Sequence, residues 1–333
     1  MNYIGSKHSL LPFLDKSIRK TVGDEIKGLD FCDLFGGTGA VGRFFKREGN
    51  RIIANDWEYY SFVLLRNYIG NHRPIPLADK MIAELNHEPE IENGFIYQNY
   101  CTGGSGFRQY FSDSNGRKID AIRVRIEDWK GMGVIDDNTY YFLLCSLLEA
   151  ADKVANTASV YGAYLKHLKQ SAKNSLELIP AEFWVNDIDH EVYRKDANDL
   201  IRSISGDILY LDPPYNTRQY GANYHLLNTI AMNKPFEPMG KTGLPVYQKS
   251  KFSTKKNVKE SFEDIVRNAR FKYIFLSYNN EGIMSLSEIA DIMHKYGDYS
   301  VVTQEYQRFK ADKNENREHK ADRTTEYIHI LVK

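Results

Sequence analysis

Four short apolar runs, residues 29–34, 51–55, 207–211 and 272–278, each stop at a turn-forming or acidic residue. Runs of that length without strict alternation are the pattern of strands buried on both faces, and such strands belong to parallel sheets covered by helices. Segments 39–48, 57–68, 223–232 and 284–295 carry helical periodicity and lie between or beside the runs. The alternation predicts an α/β fold built on an open, mostly parallel, Rossmann-like sheet. Residues 298–308 and 324–332 are strand-like and predict an antiparallel terminal hairpin around a charged tip. The strands before residue 60 and after residue 205 are separated by a long interval. In it, residues 139–154 place apolar groups at helical spacing, while 103–118 are rich in Gly, Ser, Asn and Asp. A chain of 333 residues has room for a second core there. Residues 1–80 and 181–333 therefore read as one domain, and 81–180 as an inserted, largely helical lobe.

Two motifs fall where strands should end. Asp33-Leu34-Phe35-Gly36-Gly37-Thr38-Gly39 joins the first strand to a helix. Small residues there let a ligand approach the backbone, and a helix start offers N–H groups without intrahelical partners. A Gly-rich turn alone also serves as a tight connection with no ligand. Asp56, at the end of the next strand, adds a carboxylate that can accept hydrogen bonds from both ribose hydroxyls of an adenosine ligand. Together they predict a nucleoside cofactor.

Asp212-Pro213-Pro214-Tyr215 follows the apolar run 207–211 directly. Two prolines fix two φ angles and remove two N–H donors, so the chain leaves the strand stiffly with its carbonyls facing a pocket. The Asp212 carboxylate and the Pro213 carbonyl form an acceptor pair for an exocyclic NH2, and the Tyr215 ring offers a stacking face for a base. An aromatic amine is a weak nucleophile because its lone pair is delocalised into the ring. Two acceptors on its hydrogens favour pyramidalisation and aim the lone pair at a methyl sulfonium, so positioning and electrostatics suffice without a covalent intermediate.

With these motifs in collinear order, the chain resembles the Dam-like α-group of N6-adenine DNA methyltransferases. Tyr3-Ile4-Gly5-Ser6-Lys7 is similar to that family's N-terminal aromatic-x-Gly-small-Lys motif, and Ser277-Tyr278-Asn279 with Glu281-Gly282 to a later strand-end motif. The resemblance implies S-adenosylmethionine as cofactor, held by Tyr3, Lys7, Asp33, Phe35, Gly36, Gly37, Gly39, Asp56 and Asp212, with Lys7 at the methionyl end. Asp196 stands where the family often places a polar group near the cofactor adenine, although the local match is weak. Asp212, Pro213, Pro214 and Tyr215 are the implied catalytic residues, and residues 81–180 the implied target-recognition lobe. The stretch 155–166 departs from Dam itself and resembles methyltransferases of restriction-modification systems, which leaves the recognised sequence open and adds a cognate endonuclease as an expected partner.

Composition adds boundaries. Lys+Arg and Asp+Glu are both 44, so global charge does not announce a polyanionic partner. Lysines are nevertheless concentrated at Lys249, Lys251, Lys255, Lys256 and Lys259, and basic residues again between Arg308 and Arg323. A stacked adenine amine cannot be reached in line with a bound sulfonium, so the base must be flipped out of a duplex. Asn216, Arg218 and Tyr220, just after the catalytic turn, are candidate DNA contacts, as are the stretches 103–118 and 240–259. Cys32, Cys101 and Cys145 lack zinc-site spacing and read as reduced thiols of a cytoplasmic protein. Neither a metal site nor a membrane segment is expected. Cytosine N4, RNA adenine and protein amides stay open as acceptors, since all accept a related turn; Asp at position 212 favours adenine. A catalytically silent DNA-binding module keeps the same fold, and a nicotinamide dehydrogenase shares the Gly-rich turn but has no use for Pro213-Pro214.

Overall fold

The computed structural model describes residues 7–307 and 323–333, with backbone alone at 306, 307, 323 and 324. The Tyr3-to-Ser6 part of the N-terminal motif and the charged hairpin tip lie outside the described residues. The chain divides into two compact units. One takes the described residues up to Trp57 together with Ile188–Gln219 and Lys249–Lys333; the other takes Glu58–Asp187 and Tyr220–Gln248.

The first unit is built on seven strands: β1 (Asp30–Asp33), β2 (Arg51–Asn55), β3 (Glu191–Tyr193), β4 (Ser205–Leu211), β5 (Arg270–Asn279), β6 (Asp298–Gln307) and β7 (Arg323–Val332). Their order is β3-β2-β1-β4-β5-β7-β6. The first five in that order run parallel, and β7 is antiparallel to both β5 and β6. The open, mostly parallel sheet and its terminal hairpin match the sequence expectation. Phe31, Cys32, Ile52, Ile53, Leu209 and Leu211 are buried because the inner strands have both faces covered. On one face, Phe31 stacks on Phe45 of helix Ala40–Arg47 with ring centroids 4.1 Å apart. Another packed cluster joins Leu209, Leu211, Ile274 and Leu276 to Phe262, Ile265 and Ile289 of helices Val258–Asn268 and Leu286–Met293. Ser285 and Glu288 form a reciprocal capping box at the start of the latter.

Strand β3 has no signal in the sequence analysis, since three half-buried residues at a sheet edge carry no apolar run. Strand order reverses direction at β1 and β4: from β1 the chain builds outward to β2 and β3, and from β4 to β5 and beyond. The C-terminal ends of those two neighbours form the crevice where open α/β sheets take ligands.

The second unit is helical and wider than residues 81–180. Its helix Tyr59–Leu65 runs on into a π-helical turn, Arg66–Gly70. The long helices Asp113–Gly131 and Asp137–Val154 start at Ser112 and Asp136, whose side chains accept from Asn115 N and Thr139 N. The first covers the end of the Gly- and Ser-rich stretch 103–118, where Asp113, Ser114 and Asn115 act as helix-start residues rather than loop. Buried Arg123 donates to the carbonyls of Ile230 and Ala231 in the last turn of helix His225–Met232. Asn228 accepts from Tyr60 N at 2.9 Å. The core is rich in tyrosine, with Tyr60, Tyr100, Tyr110, Tyr161 and Tyr224 all fully buried.

Cys32, Cys101 and Cys145 are buried and form no disulfide. Among the described residues, no helix is long and apolar enough to cross a membrane.

Candidate active site

The pairing of β1 with β4 sets Asp33 level with Tyr210, two residues short of Asp212. Pairing of β2 with β1 sets Ala54 level with Asp33, so Asp56 leaves the sheet at the same edge. Three carboxylates from separate parts of the sequence thus emerge at the C-terminal ends of three adjacent strands.

The loop after β1 is folded by its own backbone. Leu34 N donates to Tyr210 O, Gly36 N to Asn55 O at 2.8 Å, and Gly39 N to Gly36 O at 2.7 Å. Gly37 and Gly39 have φ of +53° and +77°, a region that side chains resist, which is why glycine stands at both. Asp56 Oδ2 accepts from Gly37 N at 2.8 Å, so the acid fixes the loop as well as standing beside it. Asn55, which sequence reasoning missed, is buried and donates to the carbonyls of Leu34 and Lys195 while accepting from Lys195 N. Its only sequence signal is its place between an apolar strand and Asp56.

Asp33 is buried, and Gly42 N donates to its Oδ2 at 3.2 Å. Its Oδ1 is buried with no hydrogen-bond partner among the described residues. Burial, reinforced by the charge of Asp212, pushes its carboxyl up to about 8. A buried carboxyl oxygen without a partner among the described residues thus stands beside the glycine-lined loop. Phe35 packs edge-on against Phe252 with centroids 5.0 Å apart. Asp196 caps the short helix Ala197–Leu200 through Asn198 N and pairs with Lys251 at 3.3 Å.

Lys7 is 6% exposed, and its Nζ lies 3.1 Å from Asp212 Oδ1 and 5.7 Å from the centre of the Tyr215 ring. Burial alone would lower the lysine, yet the charges of Asp212 and Glu326 lift it above the usual range. Burial pushes the Asp212 carboxyl up to about 6, against the pull of Lys7. The described part of the N-terminal motif is therefore in direct contact with the Pro-Pro turn.

Behind that turn stands the segment singled out at 277–282. Tyr215 O accepts from Ile283 N at 2.9 Å, and the Tyr215 ring meets Tyr278 edge-on with centroids 6.3 Å apart. Tyr278 is fully buried, and its hydroxyl accepts from Met284 N. Gly282 makes this closure feasible, because a Cβ there would sit 2.0 Å from Tyr278 Cε1. Gly282→Ala is expected to destabilise the fold by about 1–3 kcal/mol and to displace the Tyr215 support. Equilibrium urea denaturation checks the loss of stability, and an unchanged midpoint would contradict it.

Asn216 Oδ1 accepts from Arg218 N at 2.9 Å, folding the next residues into a turn, and the Arg218 side chain is exposed. Gln219 Oε1 accepts from Ser250 N, and Ser253 Oγ donates to Arg218 O, so the loop is stitched to Ser250–Ser253. Tyr220 belongs to the helical unit, where its ring stacks on Tyr224 with centroids 6.1 Å apart.

Comparison with known proteins converges on one family. The family described as D12 class N6 adenine-specific DNA methyltransferase matches residues 3–292. Type II methyltransferase M.NlaIII of Neisseria lactamica is 58% identical over 100% of this chain and 99% of its own. Type II methyltransferase M.CviAII of Paramecium bursaria Chlorella virus 1 is 36% identical over 93% of each chain. Type II methyltransferase M.FokI of Planomicrobium okeanokoites is 36% identical over 100% of this chain, which spans 53% of that protein.

Proposed function

The chain belongs to the D12 class of N6 adenine-specific DNA methyltransferases, and on that premise we propose that it transfers a methyl group from S-adenosylmethionine to the N6 amine of an adenine turned out of duplex DNA. The observation that carries this mechanism is the placement of Asp212-Pro213-Pro214-Tyr215 at the end of β4, beside the glycine loop that follows β1. S-adenosylmethionine, when bound, supplies a methyl group on a positively charged sulfur. Asp56 would hold its ribose hydroxyls, and the Gly36–Gly39 loop would admit it to close backbone approach. Asp33 Oδ1, buried without a partner among the described residues, would be free to meet a polar group of the ligand. Lys7 would serve the methionyl carboxylate.

On the acceptor side, Asp212 and the Pro213 carbonyl take the two amine hydrogens while Tyr215 stacks on the base. Held this way, the amine nitrogen would present its lone pair to the donor's methyl group, whose bond to sulfur would give way with its electron pair left on sulfur, and Asp212 or water would take the proton that the nitrogen gives up. Acceptance requires a charged Asp212. Because its carboxyl is raised to about 6, it is protonated below that pH and charged above it. Activity should therefore rise with pH through about 6. The kcat/KM profile checks this, and a rate flat from pH 5 to 7 would contradict it.

The helical unit and the exposed Arg218 loop carry target recognition in this reading, and the enzyme works in the cytoplasm as the modification partner of an endonuclease cutting the same sequence. The type II names of the similar proteins support that pairing. The first test is expression in a host lacking adenine methylation, with modified bases mapped by single-molecule sequencing. Methylated adenines in one recurring short sequence are expected. Modified cytosine, or no modified base with cofactor-binding protein present, would overturn the reading.

A further inference from the structure

Glu326 has no part in the roles above, yet the sheet delivers it to the same edge. It pairs with Asn279, the last residue of β5, while Leu276 three positions earlier pairs with Leu211, the residue before Asp212. Its side chain is nine-tenths buried, and its Oε2 is buried with no hydrogen-bond partner among the described residues. Burying a carboxylate oxygen without a donor is unfavourable and calls for a compensating charge. Its charge acts on Lys7, Asp212 and Tyr215 alike.

Lys7 pairs with Asp212 at 3.1 Å, and Glu326 adds a second carboxylate whose charge is felt in the same cluster. Asp33 is pushed up to about 8 and stays neutral near pH 7, and Tyr210 and Tyr215 are raised and neutral. Glu281 adds its charge near Tyr215. Without Glu326, Lys7 and Asp212 cancel. With it, these three groups hold one unbalanced negative charge, which complements a ligand of one net positive charge. Resting on the cofactor reading above, the donor is such a ligand, since its sulfonium is cationic, whereas the thioether left after transfer is neutral overall.

We propose that Glu326 is a positioning residue that sets the charge of the donor pocket, favouring the cationic donor over the neutral thioether product. A purely structural Glu326 would affect both ligands equally.

Isothermal titration of the full chain with S-adenosylmethionine and with S-adenosylhomocysteine tests this. Glu326→Gln should weaken the cationic ligand about tenfold relative to the thioether, with thioether binding nearly unchanged; Glu326→Asp should restore the wild-type ratio. Equal weakening of both ligands, or no change in their ratio, would overturn the proposal. Should Glu326→Gln fold poorly, Glu326→Met removes the same charge and is read by the same ratio. If the wild-type chain binds neither ligand, the cofactor assignment itself falls, and the proposal with it.

Discussion

Asp212→Ala should transfer methyl groups roughly 10³-fold or more slowly, the loss expected when an aimed transition-state contact is removed, yet bind cofactor within about tenfold, about 1.4 kcal/mol, of the wild type. The asymmetry comes from what Asp212 touches. Its carboxylate meets Lys7 at 3.1 Å and stands at the start of the turn that presents Tyr215. The glycine loop and Asp56 hold each other through Gly37 N without its help. Single-turnover transfer and calorimetric titration of the same preparation separate the two quantities. A loss of cofactor affinity matching that of Asp56→Ala would contradict the division of roles.

Asp56→Ala carries the complementary expectation. In the proposed role the variant loses an acceptor for the ribose, and it also loses the partner of Gly37 N, at a cost of about 1.5–3 kcal/mol for a charge-assisted hydrogen bond. Affinity for S-adenosylmethionine should drop by roughly 10–100-fold. The rate at saturating cofactor should stay near the wild type, because nothing in the Asp212–Tyr215 turn changes. Saturation kinetics read both numbers, and a variant with unaltered affinity but depressed maximal rate would place Asp56 on the wrong side of the chemistry.

Much of this was legible in the residues. Inner parallel strands announce themselves because both faces are buried, which is why β1, β2, β4 and β5 fall within a few residues of the apolar runs. The motif acids could be located for the same reason, since each follows such a strand. Strand β3 escaped because an edge strand of three half-buried residues leaves no hydrophobic trace. The sequence reading confined the helical lobe to residues 81–180, whereas the helical unit also takes residues 58–80 and 220–248. Residues 220–248 join it through long-range contacts, Asn228 to Tyr60 and Arg123 to Ile230, that leave no local signature. Likewise, the Lys7–Asp212 ion pair links positions over 200 residues apart and depends on tertiary structure alone.

Those same contacts tie the two segments of the helical unit to each other. The chain leaves the sheet unit at Trp57 and again at Gln219, so two separate inserts build one helical body around one set of tyrosines. Arg123 of the first insert satisfies carbonyls of the second, and Asn228 of the second accepts from the backbone of the first. Exchanging one insert with that of a relative would break a shared interior and strand a buried guanidinium. In a chimera the two segments must travel together, while the three strand-end carboxylates stay where the sheet puts them.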